Sequence, residues 1–143
     1  VISIKVGAPD MEAFARNCAR WGDRLNFTTN ATFSVGIGYF LGATGFISGF
    51  GGFVPKMEIA LHQAAAAGDW LKVKEIEKKR FALAECYHAF EDRHGVNAGM
   101  EMLYEATGMI GRAGGRGRPP LRPLTDQDRK ELKAALKLCG ANV

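Results

Sequence analysis

Apolar residues fall along this chain in two different rhythms. In the first third, short apolar runs of about five residues alternate with stretches of helical spacing. "VISIK" reads as a strand over 1–5, and a turn follows at Gly7-Ala8-Pro9. Pro9-Asp10 then starts a helix over 10–21, with Phe14, Cys18 and Trp21 on one face and Gly22 at its end. "LNFTT" predicts a second strand at 25–29, "TFSVGIGYFLGA" a short buried helix at 32–41, and "TGFIS" a third strand at 44–48. The loop "GFGGFVP" leads into a helix from 55. Short apolar strands alternating with helices predict a parallel sheet covered by helices, an α/β fold.

After Pro55 only the helical rhythm remains. "KMEIALHQAAAAG" stops at Gly68, and Asp69 can cap a long helix that runs to about Asp92. Trp70, Val73, Ile76, Leu83, Tyr87 and Phe90 form a stripe on it, the pattern of a core or a subunit interface. A further helix covers 97–107. After the loop "GRAGGRGRPPLRP", Thr125 and Asp128 resemble a capping box opening a last helix that stops at Gly140. The composition shift divides the chain into 1–68, three βα units, and 69–143, a helical extension.

Composition narrows the classes. Hydrophobic residues make up 47% of the 143 positions and charged ones 24%, which excludes a disordered chain. The formal charge of +4 is spread along the sequence, so no nucleic-acid stripe is expected. Leu25 to Pro55 carries no charge, yet its glycines, threonines and asparagines interrupt any apolar span, and it reads as core instead of membrane. Cys18, Cys86 and Cys139 lack metal-ligand spacing and sit in apolar contexts, which points to reduced thiols and a cytoplasmic protein. His62, His88 and His94 are not spaced as a metal site, and no metal is expected. The loop at 111–122 has arginine–glycine character but no interleaved aromatics, and its prolines make it a rigid connector.

Lys5 stands out among the chemistry-bearing residues. It is either a strand-end cation reaching solvent or an amine activated by burial. In a parallel βα architecture, catalytic groups gather at the C-terminal ends of strands. Lys5, then Thr29-Asn30, then Ser48-Gly49-Phe50 end the three expected strands. A lysine there, walled by residues such as Phe27, Phe46 and Phe50, would have its charged form disfavoured, as imine formation with a ketone requires.

The order of motifs resembles the C-terminal half of the dihydrodipicolinate synthase / N-acetylneuraminate lyase family, class I aldolases built as (β/α)8 barrels. "VISIKVGAPD" resembles the sixth strand, "LNFTTNAT" the seventh, and "LGATGFISGFGGFVPK" the eighth. "AAAAGDWLKVKEI" and "GRPPLRPLT" match the family's helix start and its signature before the last helix. The resemblance implies that this is the C-terminal part (strands 6–8 plus C-terminal helices) of a TIM barrel. It gives Lys5 the role of forming a Schiff base with pyruvate or another 2-oxo acid. Asn30 would face the second substrate, an aldehyde or sugar acid, and Ser48, Gly49 and Phe50 would line the pocket. No cofactor is implied, because the iminium is itself the electron sink. The resemblance further implies a homotetramer and an N-terminal half-barrel present as a separate or cleaved chain. The expected activity is a lyase or synthase. A 2-keto-3-deoxy sugar-acid dehydratase and a non-catalytic 2-oxo-acid-binding homologue are the alternatives.

Overall fold

Secondary structure follows the two rhythms. The computed structural model describes residues 1–7, 10–30, 35–95, 97–115 and 117–143. Within these, strand β1 (Ser3–Val6) leads to helix α1 (Met11–Trp21), β2 (Asn26–Thr29), α2 (Val35–Phe40) and β3 (Gly45–Phe46). A 3₁₀ turn (Gly49–Gly52) precedes α3 (Pro55–Ala66), α4 (Trp70–His94), α5 (Ala98–Met109) and α6 (Asp126–Leu138). The three strands are parallel in the order β1-β2-β3. The turn expected at Ala8-Pro9 and residues 32–34 of the expected helix 32–41 lie outside the described residues.

Contacts divide the chain into two compact units, Val1–Ser48 with Ile59–Glu77, and Gly49–Glu58 with Lys78–Val143. This division follows packing, whereas the break expected after residue 68 followed composition.

In the first unit the period-two alternation of β2 decides which face is buried. Phe27 and Thr29 are buried, while Asn26 is exposed and Thr28 half-buried. Phe27 meets the ring of Phe14 edge-on at 6.3 Å, with Cys18 and Ala43 completing the cluster. Helix α1 therefore covers this face with Phe14 and Cys18, whereas Trp21, read from sequence on the same stripe, is 36% exposed. Asp10 caps it, its carboxylate accepting from the Ala13 N–H at 2.9 Å. Gly22 ends the helix in a right-handed conformation, φ −66°, so its left-handed freedom goes unused. Strand β3 is shorter than expected. Its ladder bonds run from Thr44 N–H on the Phe27 carbonyl to Ile47 N–H on the Thr29 carbonyl, and Ser48 lies beyond them.

The second unit is helical. Phe53, Leu83, Phe90, Met102, Leu132 and Leu136 form its centre, several of them fully buried. Burying a side chain such as Leu83 or Phe90 contributes about 1.5–3 kcal/mol. The capping box is formed: the Thr125 hydroxyl accepts from Asp128 N–H, and Asp128 accepts from Thr125 N–H. Of the α4 stripe, Leu83 and Phe90 are buried in this unit, and Val73 and Ile76 are buried in the first. Trp70 remains 43% exposed, edge-on to Phe40 at 5.8 Å.

Candidate functional site

Strand register fixes where the candidate lysine goes. Lys5 pairs with Thr28, and Thr28 pairs with Gly45, so these three form one row across the sheet. The neighbouring rows, Ile4 with Phe27 and then Val6 with Thr29 and Phe46, turn to the helix side. The Lys5 row faces the other way. Lys5 itself is exposed among the described residues, and Thr28 places its hydroxyl 3.4 Å from the Ile4 carbonyl, to which it donates. At Gly45 a Cβ would stand 3.3 Å from the Thr28 methyl, so the glycine keeps that side of the row low.

Asn30 sits two rows nearer the strand ends. Its N–H donates to the Val6 carbonyl at 3.2 Å, and its side chain lies beside Gly7. Two residues past Thr28, it projects to the Lys5 side by the same alternation. Ile47 follows Gly45 by two residues and is 51% exposed, so alternation carries it, and not Ser48, onto the lysine side. Ser48 is half-buried at the end of this unit.

Two expected walls of the lysine face elsewhere. Phe27 packs on Phe14, and the ring of Phe46 lies edge-on to Tyr39 at 6.4 Å. Both belong to rows offset by one residue from Lys5, and a one-residue offset reverses the face. The third, Phe50, is only 3% exposed, its ring packed with Phe53 in the core of the second unit. Gly49 and Phe50 thus occur in the 3₁₀ turn of that unit, where Phe50 can offer a ligand backbone but little ring surface.

The remaining chemistry-bearing side chains are occupied in structural contacts. The His62 ring meets the Tyr39 hydroxyl at 2.5 Å, and burial pushes the Tyr39 phenol up. His94 reaches the buried Asp128 at 2.8 Å. Burial, with Glu131 adding to it, pushes the Cys86 thiol up to about 11, and burial beside Glu58 does the same to Cys139. Neither thiol is a ready thiolate at neutral pH. Among the described residues, no three of His, Cys, Asp and Glu gather as a metal site. No described helix is long and apolar enough to cross a membrane.

A groove of about 500 Å³ runs along the edge of β1, lined by Ile4, Val6, Trp21, Arg24 and Phe27 among others. It opens on the helix side of the sheet and does not include Lys5. Thr28, Gly45 and Ile47, the neighbours that the register gives to Lys5, were not singled out by sequence reasoning. The alternation within "NFTT" was the available signal, since a buried Phe27 forces Thr28 to the opposite face.

Comparison with known proteins follows this geometry. The sequence model described as the dihydrodipicolinate synthetase family matches residues 1–139. No individual curated protein sequence matches the chain significantly. Among solved structures, dihydrodipicolinate synthase from Oceanobacillus iheyensis superposes with a TM-score of 0.84 at 23% identity, covering 99% of this chain and 47% of that one. The enzyme of the same name from Aquifex aeolicus gives 0.84 at 20% identity, covering 99% of this chain and 46% of its own. N-acetylneuraminate lyase from Proteus mirabilis gives 0.74 at 22% identity, with 96% and 44% covered. The chain spans about half the length of the solved structures it matches, and at these identities the likeness establishes the α/β fold.

Proposed function

The chain belongs to the dihydrodipicolinate synthetase family, and from that premise we propose that it carries strands six to eight of a (β/α)8 barrel and the imine-forming lysine of a 2-oxo-acid lyase. The observation that carries this reading is the row Lys5–Thr28–Gly45: an amine near the C-terminal end of a parallel strand, on the sheet face not packed by α1, beside a small residue. In the lyase direction of the proposed reaction the neutral Nζ of Lys5 attacks the keto carbon of a 4-hydroxy-2-oxo acid. The carbinolamine loses water to give an iminium. Loss of the 4-hydroxyl proton and cleavage of the C3–C4 bond send that bond's electron pair into the iminium, releasing C4 as an aldehyde and leaving the enamine of the shorter 2-oxo acid. Protonation of the enamine and hydrolysis then return free lysine and the 2-oxo acid.

Asn30, projecting two rows beyond Lys5 on the same face, is the side chain proposed to meet the second substrate. Family resemblance, and no measured distance, assigns Ser48, Gly49 and Phe50 to substrate contact. Strands one to five, on a separate, cleaved or continuous polypeptide, would complete the barrel and cover the lysine face. Removal of that face from water is what would favour the neutral amine. A homotetramer is the proposed assembly.

Sodium borohydride with pyruvate tests the reading on the full-length protein. Reduction should inactivate it and add one reduced pyruvate per barrel to the intact mass. Full activity after treatment, with no mass gain from any 2-oxo acid, would reject the imine.

A further inference from the structure

Beyond the lysine, the second unit contains a buried charge that the proposed reaction does not use. Arg80 is 1% exposed, and its Nε donates to the Oε1 of Glu58, itself 7% exposed, at 2.8 Å. The guanidinium carbon lies 5.0 Å from the centroid of the Phe50 ring. We propose that Arg80, oriented by Glu58, is a positioning residue that sets the conformation of the 3₁₀ turn Gly49–Gly52. The inference rests on the preceding reading only where it assigns substrate contact to Gly49 and Phe50.

Three of the four turn residues are glycine, so the segment has little stiffness of its own and its shape must be imposed by neighbours. Several contacts impose it. Leu103 stands 2.8 Å from where a Gly49 Cβ would be, Arg112 donates to the Gly52 carbonyl at 3.1 Å, and Phe53 packs on Phe50. The N–H groups of Phe53 and Val54 both donate to the Phe50 carbonyl, at 3.0 and 2.9 Å. Among these contacts Arg80 is the expensive one. Desolvating an ion pair costs several kcal/mol, and an apolar pair of similar volume often stabilises as well or better. What the pair provides instead is direction. A planar guanidinium held by the Glu58 carboxylate presents a fixed face to the ring and so fixes the ring's tilt. Because Phe50 occupies the second position of the turn, holding its ring holds the peptide planes on either side of it.

The test uses the full-length protein with Arg80→Met combined with Glu58→Gln, which removes both charges of the pair. Hydrogen exchange at the Phe53 and Val54 amides should accelerate about tenfold or more, while α6 amides such as Leu136 keep their protection. The KM for pyruvate should rise about tenfold, with kcat per borohydride-trappable lysine within about twofold of wild type. Arg80→Lys, which keeps the charge but loses the plane, should fall between. Unchanged exchange at Phe53 and Val54, or acceleration spread equally through α6, would overturn the proposal. Should the double variant not fold, Phe50→Leu leaves the ion pair intact and must show the same turn-limited acceleration, and its absence there overturns the proposal equally. A wild-type protein that traps no 2-oxo acid would end the lyase reading but leave the exchange result to decide the role of Arg80.

Discussion

The two faces of the three-stranded sheet are made from the same few residues and have opposite fates. On one side Phe27 and Thr29 are almost fully buried, Phe27 beneath Phe14, Cys18 and Ala43, and Thr29 beside Gly38 of α2. On the other, Lys5 is exposed, Thr28 and Gly45 are half-buried, and Ile47 is half-exposed. Residues one position apart thus take opposite sides: one row makes the core and the next carries Lys5. A parallel sheet is ordinarily covered on both faces, and within this unit the described helices pack on the Phe27 face and leave the Lys5 face bare.

The sharpest way to break that contrast is at the lysine. Lys5→Ala should lower turnover of the full-length enzyme by at least about a thousandfold while leaving its melting temperature within a few degrees, because the proposed imine forms on this amine and the side chain belongs to the row opposite the Phe27 core. Assay and calorimetry on the same preparation check both halves. The buried face predicts the reverse. Phe27→Ala should cost about 3–5 kcal/mol by opening a cavity against Phe14, read as a lowered denaturant midpoint. A bare-face variant that unfolds the protein, or a Phe27 variant that does not destabilise it, would erase the distinction.

Smaller effects sharpen it. Gly45→Val places a branched side chain against the Thr28 methyl in the lysine row, and should raise the KM for the 2-oxo acid about tenfold with little change in stability. In the helical unit, Asp128→Asn should cost about 1–3 kcal/mol in chemical denaturation, since this carboxylate serves the α6 cap, Arg93 and His94 together. Burial raises the Asp128 carboxyl, but hydrogen bonds from Thr125 and His94 outweigh it and hold the group below the ordinary carboxylate range. A depressed folded value means that the contribution is present above the unfolded value and is lost as pH falls through the folded one. Wild type should therefore lose stability to acid below about pH 4, and the Asn variant should lose less.

Much of this contrast was legible in the sequence, because local patterns carried it. Pro9-Asp10 and Thr125 with Asp128 announced their helix starts; the Thr125–Asp128 capping box is formed as read, and Asp10 proves to be the cap of α1. Phe14 and Cys18 marked the covering face of α1, and the apolar strands foretold a parallel sheet. What escaped was cross-strand register. "NFTT" and "TGFIS" give each strand's alternation but not which residue stands beside Lys5, since that depends on how far neighbouring strands slide. Phe27 and Phe46 were accordingly placed around the lysine, one row out of phase with their observed positions. The Arg80–Glu58 pair was invisible for a related reason: 22 residues separate the partners, and nothing local marks a charge that packing will bury.

The central claim is that the amine on the bare face forms the imine, and peptide mapping tests it most directly. The full-length protein is reduced with borohydride in the presence of isotopically labelled pyruvate, digested, and sequenced by tandem mass spectrometry. The account predicts that the label sits on Lys5 in the VISIKVGAPD segment and disappears in Lys5→Ala. Label on any other lysine, retained in the Lys5→Ala protein, would contradict it.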